Sequence, residues 1–380
     1  MPLPACFRYP ADAPTSLRGR GFGRGASGVA LITVLLIVFL ASMTAISLAT
    51  VQQIAIRRST VLQHQQQARL YTLGVEQWAG LILMRDRQDN QTDHPGEEWA
   101  NLPPALPVDD GVLSGKIRDL QGCFNLNNLW RPAAGDLPTN PGDNRERPAQ
   151  DAGEVDKEAE TPAEPAPAPK PPPPADPAKS GSGKAGINQE QMKVLQHLLT
   201  NLELKPELAQ AIADWLDPDP DPLFPDGAED SDYTVLNPPY LAANQPFASL
   251  SELRLVKGID QEAYNKLVPL VCALPPGVPL NINTAPALVL AALDDKVERA
   301  DLERLLEDRP AKGYENVDEF LNAAKMTPDA PTKALLSIDS QYFLLQAEAR
   351  VGDGRAMLYS IIFRDENGVR VLRRSFGNQD

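Results

Sequence analysis

Three histidines and three cysteines are all that the 380 residues contain. His64, His94 and His197 are scattered, with no H-E-x-x-H pair, no G-x-S-x-G elbow and no complete phosphate loop. The stretch SGSGK at 180–184 comes nearest to a phosphate loop. It lacks the first glycine at the required spacing and the Ser or Thr after the lysine. Carboxylate pairs such as Asp294 and Asp295 suit helix ends better than acid–base work, so nothing in the chain requires catalysis. Basic residues are also few, 36 against 51 acidic, for a net charge of −15. That balance argues against broad contact with nucleic-acid phosphates, which rewards Lys and Arg.

Proline numbers 37 overall, yet none occurs between Val29 and His94, where Gly74 and Gly80 are the only glycines after Ala30. Within this run, Val29–Val51 is 23 residues without a charge. As a helix it would extend roughly 34 Å, enough to cross a hydrocarbon core of about 30 Å. A cleaved signal peptide has an apolar stretch of roughly 7–15 residues, so this one is too long. Residues 1–28 hold four arginines and one aspartate. Arg18, Arg20 and Arg24 lie just ahead of the apolar run, which puts the N-terminus in the cytoplasm and the chain beyond Val51 outside. Further on, Tyr71, Val75, Trp78 and Ile82 form one apolar stripe at helical spacing. One helix of about 60 residues is therefore predicted, apolar all round in its first half and amphipathic in its second.

Cys6 precedes the apolar run, whereas Cys123 and Cys272 lie beyond it. If the run exports the chain on its C-terminal side, the latter two reach an oxidising compartment and can pair. Two buried free thiols are the other reading; a Cys123–Cys272 bridge is favoured.

A basic leader with Gly28 directly before a long apolar helix resembles a type IV prepilin signal. The resemblance implies cleavage between Gly28 and Val29 by a prepilin peptidase, followed by N-methylation. Most of that family carry Glu at the fifth mature position, but here the place holds Thr33, which cannot form a charge pair with a neighbour's amine. The K-type minor pseudopilins of type II secretion are the subgroup that lacks this Glu. LQGCFNLNNL (120–129), IADWLDPDPDP (212–222), DGAEDSDY (226–233), PPYLAANQPFASLSELRLVKGID (238–260) and LNINTAPALVLAAL (280–293) are closely similar to that family, in that order.

Organisation along the chain fits this resemblance. GVLSGKIRDL (111–120) reads as a strand, and YFLLQAEARV (342–351), RAMLYSIIFR (355–364) and VRVLRRSF (369–376) as an antiparallel meander split by turns. Between them lie helical segments with apolar faces: 192–202, 206–216, 250–256, 261–271, 285–293, 300–308 and 317–324. Asn316 with Glu319 makes a capping box, and Thr284 is expected to cap a helix with Pro286 in its first turn. Residues 131–186 are rich in Pro, Ala and charge and too poor in apolar side chains to offset their ordering entropy, so they read as a linker or loop.

The expected fold class is α+β. A leader occupies 1–28, a transmembrane helical part 29–51 and its periplasmic continuation 52–94. A pilin-like antiparallel sheet comes from 95–130 and 338–380. A large inserted all-α domain, of helix-hairpin-helix or SAM-like type, fills 187–337 and includes an acidic loop, 214–233.

Seven carboxylates lie between Asp217 and Asp232, with prolines at 218, 220 and 222 holding the first part extended and Gly227 letting the chain turn back. The spacing is not that of an EF-hand, since its sixth and twelfth positions would be Pro222 and Ala228. The residues alone suit a solvated acidic loop as well as a hard-cation site, and the lack of His or Cys disfavours zinc. The resemblance implies Ca²⁺, with Asp217, Asp219, Glu229 and Asp230 as ligands and Asp232 as a further candidate.

SLSELRLVKGIDQEAYNKLV (249–268) is like a helix-hairpin-helix, which would make a DNA-uptake pilin-like protein the alternative. The place of the second hairpin glycine, however, holds Asp260, which repels phosphate, and Lys257 is the hairpin's only cation. A protein-binding helical unit is the favoured reading. The resemblance implies a single-pass inner-membrane protein, mostly periplasmic. Its implied partners are the I- and J-type minor pseudopilins, the inner-membrane assembly platform and the prepilin peptidase, with no nucleic acid.

Overall fold

The computed structural model describes residues 27–131 and 186–377. The leader up to residue 26 with Cys6, nearly all of the Pro-rich segment and the SGSGK stretch lie outside them. Helix α1 runs Ser27–Asp89. It passes through two compact units, Met1–Leu62 and Gln63–Asp380.

In the first unit every described side chain is exposed, and from Val29 to Ile56 the helix presents apolar residues on all sides. A helix that is apolar all round belongs in a core or a membrane. Four of its hydroxyls are satisfied within the helix: Thr33 Oγ1 donates to the Ala30 carbonyl (2.9 Å), Ser42 to Val38, Thr44 to Ala41 and Thr50 to Ser47. Such back-bonding lets those side chains sit in lipid without an unpaired donor. Gly28 falls in the first turn of α1.

In the second unit α1 becomes one-sided. Ala68, Thr72, Val75, Glu76, Ala79, Ile82 and Leu83 are buried, which refines the predicted stripe by a fraction of a turn: Tyr71 and Trp78 sit at its margins. These residues lie on a five-stranded antiparallel sheet. Its strands are β1 (Leu106–Val108), β2 (Gly111–Asp119), β3 (Tyr342–Val351), β4 (Gly354–Asp365) and β5 (Gly368–Phe376), paired in chain order. Ile117, Phe343, Leu345, Ala347, Leu358 and Ile362 supply the sheet side of this core. Burying Ile82 or Leu83 contributes on the order of 2 kcal/mol each. The turn between β3 and β4 abuts the helix closely: a Cβ on Gly354 would lie 2.5 Å from the His64 carbonyl carbon.

One charged knot ties the end of α1 to the sheet. The buried Arg364 of β4 donates to the Leu83 carbonyl (3.1 Å), Asp86 (2.8 Å), both oxygens of Asp93 (2.6 Å) and the Ser340 carbonyl (2.9 Å). On the outer part of α1, the buried Glu76 accepts from Arg374 of β5 and Ser360 of β4.

Asp119 in β2 and Phe343 in β3 are direct neighbours, and the whole helical block lies between them in sequence. Its helices are α2 (Gln189–Asn201), α3 (Leu208–Asp214), α4 (Asp230–Tyr233), α5 (Gln261–Leu267), α6 (Ala287–Ala291), α7 (Arg299–Glu307), α8 (Val317–Ala324) and α9 (Ala330–Lys333). They enclose a separate core with Leu195, Leu198, Leu199, Ile212, Leu267 and Phe320 among its fully or nearly inaccessible members. Asp119 joins the insert to the sheet: its Oδ2 accepts from Thr284 (2.5 Å), Ser340 (2.6 Å) and Asn281 (3.1 Å). Thr284 therefore does not cap α6, where Pro286 is the boundary residue; the buried carboxylate takes its hydroxyl. Asn316 caps α8 as expected, accepting from Glu319 N (2.7 Å), but the Glu319 carboxylate reaches Glu315 N instead of closing the box.

Candidate functional site

The acidic loop hangs from the end of α3. Asp214, its last residue, is fully buried and accepts from Leu223 N (3.1 Å) and Ala228 N (2.7 Å). These bonds fold the chain back and carry Glu229 to Asp214 and Asp217, so that ligand atoms of all three lie within 4.8 Å of one another. Gly227 is required at this closure, because a Cβ there would stand 2.1 Å from Asp214 Oδ2.

Asp217 and Glu229 are each only 2% exposed; Asp217 Oδ1 has no hydrogen-bond partner, and the Glu229 oxygens are met by no side chain, only backbone amides of α4 approaching them. Burial, followed by the neighbouring carboxylates, pushes Asp217 up to about 8 and Glu229 up to about 7. Asp214 is raised to about 6, burial outweighing its two amide bonds. Buried oxygens left unpaired are costly, and packed carboxylates repel. Protons or a hard cation relieve both.

Asn244 is tied by its backbone to the residue after Asp214. Its amide donates to the Trp215 carbonyl (3.0 Å), its backbone is held at φ 45°, and its buried Oδ1 also lacks a partner. The other expected ligands are differently engaged. Asp219 is exposed and accepts from Asp221 N. Asp230 Oδ1 accepts from Ala242 N (2.9 Å). Asp232 pairs with Lys257 (2.8 Å), which lowers its pKa.

A second carboxylate group, Asp86, Asp93 and Glu97, differs in kind. The Arg364 guanidinium lies against Asp86 and Asp93, and Glu97 accepts from Trp99 (2.6 Å), Asn90 and His94 N. Its charge is partly answered from within the protein by Arg364, although burial, with Glu97 beside it, still raises Asp86 to about 7 and burial raises Asp93.

Cys123 and Cys272 meet, but as buried free thiols. Cys123 Sγ donates to the Leu120 carbonyl (2.8 Å) and Cys272 Sγ to the Cys123 carbonyl (3.4 Å). The favoured bridge is thus not formed in this structure, each sulfur being turned to a backbone oxygen. Burial pushes the Cys272 thiol up.

The turn at 257–260, between the helical segments of 250–267, offers phosphate no unpaired cation; beyond it Arg254 lies over the Tyr264 ring and Lys266 pairs with Glu262. Asp260 caps α5 with its own carboxylate, accepting from Ala263 N (2.8 Å), and Lys257 is spent on Asp232. Gly258, at φ 84°, faces the side chain of Leu208, which a Cβ would approach to 2.7 Å.

The family models for type II secretion system (T2SS) protein K match residues 122–276 and 280–339. Type II secretion system protein K of Pseudomonas aeruginosa is 32% identical, over 93% of this chain and 94% of its own. The chain belongs to the type II secretion system protein K family. Protein K of Aeromonas hydrophila is similar at 33% identity, covering 94% and 99%. A chain of the crystal structure of the GspK-GspI-GspJ complex from enterotoxigenic Escherichia coli aligns with a TM-score of 0.62 and 29% identity, over 84% of this chain and 99% of its own. As a protein K, the chain is a minor pseudopilin, a structural component of the secretion machine anchored to a membrane by α1. The helical block between β2 and β3 accordingly falls within the protein K family matches.

Proposed function

We propose that the chain starts and caps a short periplasmic pseudopilus together with the I- and J-type minor pseudopilins, and performs no catalysis. The apolar half of α1 holds it in the inner membrane, with Arg18, Arg20 and Arg24 on the cytoplasmic side and the bulk of the chain in the periplasm. Prepilin peptidase cuts between Gly28 and Val29, the new terminus is methylated, and an assembly platform in the inner membrane receives the helix. Thr33 carries this reading. Its hydroxyl is bonded to Ala30 and Val29–Val51 contains no charged residue, so this part of the helix has no carboxylate for a neighbour's terminal amine. That suits a subunit at the end of a fibre.

The acidic loop is proposed to take Ca²⁺, an ion that accepts six to eight oxygens. Asp217 and Glu229 supply the buried carboxylate oxygens and Asn244 a neutral one. Asp214 lies within reach, and the exposed Asp219 and the second oxygen of Asp230 complete the set with water. When bound, the ion neutralises the clustered carboxylates. Asp217, Glu229 and Asp214 bind it, and Asp232 with Lys257 braces the rim.

Secretion by a strain whose only copy carries Leu35→Asp tests the assembly role. A carboxylate costs roughly 3 kcal/mol on insertion at the helix centre, less at Leu35 near the first quarter of the run, but more against packed helices, so export of type II substrates should stop. Thr33→Glu should leave it near normal. Normal export with Leu35→Asp would overturn the reading.

A further inference from the structure

Two turns, one in the acidic loop and one just after it, carry large apolar side chains into solvent. Phe224, 92% exposed, stands on the first turn, which Gly227 N closes onto the Leu223 carbonyl (2.8 Å). Val235, 80% exposed, and Leu236 stand on the second, between Tyr233 and Tyr240, whose rings stack at 5.3 Å. Leu241 is exposed beside them. Both turns are rigidly hung: Asp214 holds the first through Leu223 and Ala228, and Asp230 holds the second through Ala242. Isolated exposed apolar residues are ordinary, but four large ones within eighteen residues, on turns held by Asp214 and Asp230, suit an interaction surface.

The surrounding charge says what the surface can meet. No Lys or Arg occurs from Pro206 to Leu253, a stretch with ten carboxylates. Asp221 and Asp226, flanking Phe224, are exposed and form no ion pair among the described residues. Neither belongs to the proposed ion ligands, so both keep their charge when the loop is loaded and would repel an anionic bilayer or a nucleic acid. They would also repel another acidic surface, whereas an apolar side chain set between cations would find both its needs answered.

We propose that Phe224, Val235, Leu236 and Leu241 form a docking surface for a segment of another protein that presents an apolar side chain flanked by Lys or Arg. The surface lies on the inserted domain.

Photo-cross-linking from the full chain in secreting cells tests this. A benzoylphenylalanine replaces Phe224 or, separately, Val235, and each adduct is mapped to the partner residue by peptide mass spectrometry. The expected result is one protein segment, reached from both positions, with the cross-linked apolar residue within three positions of a Lys or Arg. The adduct yield should fall at least tenfold when Asp221→Lys and Asp226→Lys are combined, and about threefold with the milder Asp221→Asn and Asp226→Asn pair. Protease resistance of the variants checks that they remain folded. Adducts to lipid, to a second copy of this chain or to a neutral or acidic segment would overturn the proposal. So would the absence of any adduct, or yields unchanged by either pair of substitutions in folded protein.

Discussion

A chelator added to the full chain in detergent, at pH 5 and again at pH 8, separates a cation-held loop from an acidic loop that needs no ion. Asp217 is raised from 3.8 to about 8 and Glu229 from 4.5 to about 7. An acid whose pKa is raised by folding keeps in the native state a proton that the unfolded chain gives up. The associated stability is therefore whole below pH ~4 and is lost as pH climbs through the native values. One pKa unit corresponds to about 1.4 kcal/mol. Between pH 5 and 8, Asp217 alone accounts for nearly three units. Its coupling to Glu229 and Asp214 reduces the joint effect, leaving a loss on the order of 2–4 kcal/mol for the chelated chain. Calcium displaces those protons and binds more tightly as they leave. The gap in Tm between calcium-loaded and chelated protein should thus be small at pH 5 and about 5–10 °C at pH 8. Trp215, 5.3 Å from the Tyr233 ring and two residues from Asp217, gives a local fluorescence signal. Asp217→Asn should remove most of the pH dependence. A gap equal at both pH values, or larger at pH 5, would refute the reasoning.

Arg364→Leu should cost about 3–5 kcal/mol, because it strands Asp86 and Asp93 as buried carboxylates without their cation; chemical denaturation of the full chain would measure it. Gly354→Val should destabilise by about 1–3 kcal/mol and loosen the β3–β4 turn from α1, since its Cβ would press on the His64 backbone, seen as faster amide exchange around Gln65. Gly74→Ala should instead stabilise by about 0.5–1 kcal/mol, because nothing lies within 4 Å of the new methyl and the site is mid-helix. A shift to a lower denaturation midpoint would contradict that.

Much of the scaffold is legible because its signals are local. The run without proline marks α1, and alternation with intervening turns marks β3, β4 and β5 within a residue or two of their observed ends. The split of helical and strand segments also implies the insertion. What sequence does not carry is tertiary reassignment. Thr284 has the spacing of a cap, yet its hydroxyl goes to Asp119, far away in the chain. Asp214 reads as the end of a helix, and only loop closure shows that it organises Leu223 and Ala228. Asn244 is invisible to a search for carboxylates. Its left-handed backbone and orphaned oxygen exist only once it is bound to Trp215. The one local cue for Asp214 is its spacing, three residues before Asp217 at a helix end.

Because β2 and β3 pair across roughly 220 residues, the central ladder cannot zip early. A floppy tether of that size makes closure entropically expensive, though each halving of it recovers only about 0.6 kcal/mol. An insert that condenses first brings the two strand ends together at Asp119, Asn281 and Ser340. Maturation of the head should then wait on its guest: lesions inside the helical block would delay sheet formation, while lesions in the sheet would leave the block able to form.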